Sequence, residues 1–79
     1  MDFDFENEMI KALKKHAEGK IAMAKATAQV YMNNPAGIGE HSDITEAIGQ
    51  ELDKISRYHD QVEVINKYFR APTSARINE

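Results

Sequence analysis

The chain contains no cysteine. Disulfide bonds and thiolate metal sites are therefore excluded, and with them devices that commonly stabilise small domains. No apolar run approaches the roughly 20 residues needed to span a bilayer. The start, Met1-Asp2-Phe3-Asp4-Phe5-Glu6-Asn7-Glu8, lacks the basic residues of a signal peptide and is acidic instead. A soluble, unsecreted protein without membrane contact is expected. A surplus of positive charge is also missing. The net charge is -3, which argues against nucleic acid as the main partner, because phosphate binding favours a basic surplus.

Helix breakers are scarce as well. Of four glycines and two prolines, the only interior cluster lies in Asn33-Asn34-Pro35-Ala36-Gly37-Ile38-Gly39-Glu40-His41-Ser42-Asp43. Pro35, Gly37 and Gly39 stop one helical segment, and Ser42 or Asp43 can cap the next. The spacing predicts a single domain over residues 1–79: helix 1 from about 4 to 33, a loop over 34–43, helix 2 from about 44 to 69 and a tail over 70–79. The fold class is all-α, a two-helix antiparallel hairpin. Ile38, between two glycines, is expected to tuck over the end of the hairpin.

Helix 1 carries Ile10, Leu13, Ala17, Ile21, Ala24, Ala28 and Tyr31 at steps of three and four. Beside them runs a second row, Met9, His16, Met23 and Val30, spaced by seven. Together they form a face wider than one partner helix covers. Its middle is rich in alanine, which suits either close helix packing or simple helix propensity. Gly19, unfavourable in a helix interior by about 1 kcal/mol relative to Ala, marks either a tight contact or a bend. Helix 2 carries Ile48, Leu52, Ile55, Tyr58, Val62, Ile65 and Phe69, and the seven-residue repeat of Ile48, Ile55, Val62 and Phe69 suits near-parallel helix packing. Asp43 and Glu46 have capping-box-like spacing. Asp53 with Arg57, and Glu63 with Lys67, form i,i+4 pairs in the favourable order.

Charge is divided between the helices. Residues 9–32 hold five lysines and one acid, and residues 43–69 hold six acids and three cations. Electrostatic pairing of the two helices, or of neighbouring hairpins, is the simplest expectation. Two helices make an incomplete core, so the row of Met9, Met23 and Val30, together with Tyr31, Tyr58, Tyr68 and Phe69, is expected to stay partly wet. The hairpin would then self-associate into a four-helix bundle or dock in a larger assembly. Met9, Met23, Val30, Tyr31, Ile48, Ile55, Tyr58, Val62, Phe69 and Ile77 are the candidate protein-interaction residues. Phe3 and Phe5 could staple the open end or anchor a partner. Pro72 ends any helix in the tail, where Ile77 would anchor and Arg70 and Arg76 would meet acids.

Candidate chemistry is sparse. His59 and Glu63 share a helix face, and an antiparallel pairing brings His16 near residues 58–62. Metal sites in bundles need several converging ligands, so a hydrogen-bonded histidine pair outweighs a metal. Glu40-His41-Ser42-Asp43 holds acid, imidazole and hydroxyl groups in sequence, but catalytic triads converge in space from separate elements. Turn and cap chemistry accounts for that run. Gly37-Ile38-Gly39 lacks the strand and the Gly-Lys-Ser/Thr of a phosphate loop. No nucleophile, base and orienter can be assembled, so no enzymatic activity, catalytic residue, cofactor or metal is expected.

The string from Asn33 to Ile44, followed by Glu46-Ala47-Ile48 and Glu51-Leu52, resembles short proteins encoded by T4-like tailed phages. The resemblance covers roughly residues 10–69. It implies a viral origin and a helical hairpin and carries over no activity or site residue. A small non-enzymatic phage protein is expected, acting by helix-mediated association as a homo-oligomer or virion component, in the host cytoplasm or the virion. The alternative is a regulator that binds a host enzyme or a nucleic-acid-processing complex. Direct nucleic-acid binding through Lys11, Lys14, Lys15, Arg70 and Arg76 is the weaker third reading.

Overall fold

The computed structural model describes residues 4–33 and 41–69, with the side chains of the second stretch from residue 43 onward. The expectations placed on Phe3, Ile38, Arg70, Arg76 and Ile77 lie outside the described residues. The described chain is all-helical: α1 spans Phe5–Met32 and α2 spans His41–Tyr68, each 28 residues, and the two pack against one another.

Asp4 sets the start of α1. It holds extended backbone angles (φ -97, ψ 93), and its carboxylate accepts the Asn7 N–H at 3.0 Å. One of the otherwise unpaired first-turn donors is thereby satisfied. Glu6 and Glu8 in the first turn meet the positive end of the helix dipole. At the other end, Asn33 donates to the Gln29 carbonyl twice, through its backbone N–H at 3.0 Å and its side-chain Nδ2 at 2.8 Å. The start of α2 differs from the sequence expectation. The helix begins at His41 rather than near Ile44, so Asp43 lies within the first turn instead of preceding it. Its carboxylate there faces the helix dipole, which favours the same residue type as a cap does.

The α1 residues shielded from solvent are Asn7, Ile10, Lys14, Ala17, Ile21, Ala24, Ala28 and Tyr31, in unbroken steps of three and four. On α2 the corresponding row is Ile44, Ile48, Glu51, Ile55, Tyr58, Val62 and Ile65. Both rows follow the heptad seam of near-parallel helix packing. Two leucines assigned to the seam from sequence are excluded from it. Leu13 is 52% exposed and Leu52 is 49% exposed; their charged neighbours Lys14 and Glu51 take the places. The strict helical step outweighs hydrophobicity at these positions. Phe69, expected to continue the α2 row, is also exposed.

The core proper consists of Ala17, Ala24 and Ala28, and no large side chain among the described residues is fully buried. Methyl-sized side chains let two helix backbones approach closely while giving up almost no rotamer entropy. The apolar area they remove from water is correspondingly small.

Candidate functional site

The described surface offers two features that could act on another molecule: a groove along the packed pair, and the exposed side of α1. The groove has a volume of about 430 Å³ and is bordered by Lys20, Met23, Ala24 and Thr27 from α1 and by Glu51, Lys54, Arg57 and Tyr58 from α2. At its edge the His16 ring meets the Tyr58 ring edge-on, with centroids 5.9 Å apart and planes inclined at 75°. Glu51 is the one buried charged residue among those described, 8% exposed, and Lys54 reaches back one turn to its carboxylate at 3.2 Å. Arg57 lies over the Tyr58 ring, 5.5 Å from its centroid. This geometry supports recognition of an apolar or acidic surface, but it holds no nucleophile, base and orienter within reach of one another.

The other polar side-chain contacts of this kind among the described residues are the Lys11–Glu8 ion pair at 3.5 Å and His59 Nε2 with the Glu63 carboxylate at 3.2 Å. Each of the three joins residues three or four apart on one helix. Among the described residues, the expected cross-helix ion pairing is therefore not seen. The expected Glu63–Lys67 pair is replaced as well: Glu63 takes His59, and Lys67 lies over the Tyr68 ring at 5.4 Å. Asp53 and Arg57 do not pair either; Arg57 lies over the Tyr58 ring. The anticipated approach of His16 to the 58–62 stretch is present through Tyr58, with His59 turned to Glu63 instead of to His16. Among the described residues no three His, Cys, Asp or Glu side chains converge as a metal site, and no helix is long and apolar enough to cross a membrane.

The candidate interaction residues divide into distinct sets. Tyr31, Ile48, Ile55, Tyr58 and Val62 are half-buried along the packed seam. Met9, Met23, Val30 and Phe69 are exposed, Met23 by 64% and Val30 by 63%. Ile77 lies outside the described residues. Small residues complete the exposed side of α1. Ala12, Gly19 and Ala26 are all exposed and alternate with Met9, His16, Met23 and Val30 at steps of three and four. A Cβ built on Gly19 would meet nothing within 4 Å, so no tight contact among the described residues accounts for that glycine, and α1 runs through it without interruption. The signal is present in the sequence as a second heptad, whose small members suit close packing and helix propensity alike.

Comparison with family models, curated proteins and solved structures returns no match.

Proposed function

We propose that this protein works by helix-mediated association and not by catalysis: a hairpin that completes its core with a further helical surface. The observation that carries this reading is the mismatch between core and surface. The buried core is three alanines, whereas Met9, Leu13, Met23, Val30, Met32, Leu52 and Val64 are all exposed. A chain of this size with so little buried apolar area is marginal alone, and association is a common remedy. The unequal charge of the two helices adds support. The ion pairs are local to each helix, which leaves a largely basic α1 and an acidic α2 available to a neighbour.

The antiparallel sense of the hairpin is supported by the order of its contacts. His16 meets Tyr58, while Ala24, further along α1, shares the groove with Glu51, earlier in α2. The product of association would be an oligomer such as a four-helix bundle or a place in a larger assembly. The resemblance of the 33–44 string to T4-like phage proteins makes the virion the assembly to examine.

Mass measurement in solution across a concentration series, with mass spectrometry of purified virions, tests the reading. An oligomer or a virion-borne protein is expected. A monomer at every concentration that is also absent from virions would overturn it.

A further inference from the structure

α1 carries two heptad seams. The first faces α2. The second, Met9, Ala12, His16, Gly19, Met23, Ala26 and Val30, is exposed at every position and contains no Lys, Arg, Asp or Glu. At about 100° per residue, the two seams lie roughly 150° apart around the helix. The second seam also alternates in size: bulky residues hold one heptad position (Met9, His16, Met23, Val30) and small ones hold the other (Ala12, Gly19, Ala26).

The geometry points to a second copy of this chain as the occupant of that seam, with the two α1 helices antiparallel about a two-fold axis. This inference rests on the association reading above and specifies its partner, surface and orientation.

Size complementarity argues for the second copy. Reversing one helix places three of the four bulky positions against small positions of the partner, while the fourth, Val30, falls against Phe5. Met9 falls against Ala26 of the second copy, Met23 against Ala12, and His16 against Gly19. By two-fold symmetry each contact occurs twice, as an isologous interface requires. Nothing lies within 4 Å of a Cβ built on Gly19, which leaves room there for a side chain of the second copy. A glycine that meets nothing among the described residues thereby acquires a role, because a missing Cβ lets the partner helix approach closely.

Charge selects the same orientation. The residues flanking the seam include Lys15 on one side and Lys20 on the other. In a parallel pair, Lys15 would face Lys20 of the second copy on both sides of the interface, and such like-charge pairs oppose association. In the antiparallel pair, Lys20 faces Leu13 and Lys15 faces Ala22, and the long lysine stems can lie over these apolar neighbours with their ammonium groups in water. The dimer would order its helices α2, α1, α1, α2, with the acidic α2 helices outermost.

The absence of native cysteine makes the test direct. Met9→Cys and Ala26→Cys are prepared separately, mixed and mildly oxidised, and the mass of the wild-type chain is followed with concentration. The expected result is a wild-type dimer and a disulfide that forms in the mixture far more than in either variant alone. Gly19→Leu should weaken the dimer by about tenfold or more, the scale of an overpacked contact, while circular dichroism keeps its helical signal. Gly19→Ala, which favours helix on propensity, should also weaken the dimer. A wild-type monomer throughout would sink the association reading itself. A dimer indifferent to both Gly19 variants and without preferential cross-linking would overturn the seam but leave association standing. Efficient self-linking of Met9→Cys alone would overturn the antiparallel orientation.

Discussion

Glu51 and Lys54 form a 3.2 Å ion pair in which the acid is nearly enclosed and the base is not: their side chains are 11% and 58% exposed. Glu51 occupies a seam position that the hydrophobic pattern assigns to Leu52, and it lines the groove together with Ala24. Enclosing a carboxylate is unfavourable unless a partner offsets the lost hydration. Here the partner reaches in from solvent.

The two members of the pair should therefore respond differently to substitution. Glu51→Met removes the enclosed charge and leaves a side chain of similar length, so thermal stability should hold or rise. Lys54→Met strands the carboxylate and should lower stability, by about 1 kcal/mol because the pair is partly solvent-screened. Thermal melts followed by circular dichroism check the order. A greater loss from Glu51→Met than from Lys54→Met would contradict this account.

Asp4→Ala removes the side-chain acceptor of the Asn7 N–H and should cost about 0.5–2 kcal/mol, with Asp4→Asn largely preserving the cap. Asp43→Ala, within the first turn of α2, loses only a charge–dipole term of about 0.3–1 kcal/mol. The comparison of melting temperatures should rank Asp4→Ala as the more damaging of the two alanine variants.

Bulk tolerated elsewhere on α1 should be rejected by its alanine seam. Ala24→Leu forces the helices apart and should destabilise by about 1–3 kcal/mol. Ala22→Leu, on the exposed side, should stay within about 0.5 kcal/mol. Urea titration of the two variants separates a seam position from a merely helix-favouring one.

Acidic substitutions distinguish the two seams. Ile55→Asp with Val62→Asp introduces charges into the half-buried face of α2 and should abolish helicity, since an unpaired enclosed charge is severely unfavourable. Met23→Asp with Val30→Asp modifies only the exposed row of α1, so the helical signal should persist while the oligomeric mass falls. Equal loss of helicity from both pairs would mean that the exposed row supports the hairpin itself.

Much of this arrangement is legible in the sequence, and the failures have physical causes. Ala17, Ala24, Ala28, Ile48, Ile55 and Val62 stand out at helical spacing and occupy the packed face. Leu13 and Leu52 mislead because apolar character is a weaker guide than position. The heptad step carries the seam through Lys14, whose aliphatic stem can line it, and through Glu51, which Lys54 neutralises. His59 and Glu63 share a face by their spacing and meet there, whereas Lys67 lies over Tyr68 instead of pairing with Glu63, because i,i+4 spacing permits several partners and side-chain geometry chooses among them. That Ala12, Gly19 and Ala26 share one exposed face is not decided by the sequence, because small residues suit close packing and helix propensity alike. The 41–43 stretch reads as loop from its polar residues, yet the same residues are also favoured in the first turn of a helix.

A core of three alanines also shapes the thermal behaviour of the fold. Unfolding such a core hydrates little new apolar surface, and it is apolar hydration that gives proteins their large positive heat-capacity change, commonly about 12–15 cal/mol/K per residue. The isolated chain should fall below that range. Its stability would then vary only gently with temperature, its melt would be broad, and cooling would erode it little. Any surface that covers Met9, Met23 and Val30 would add the missing increment, so calorimetry of the free and associated forms would register completion of the core as a rise in heat capacity of unfolding.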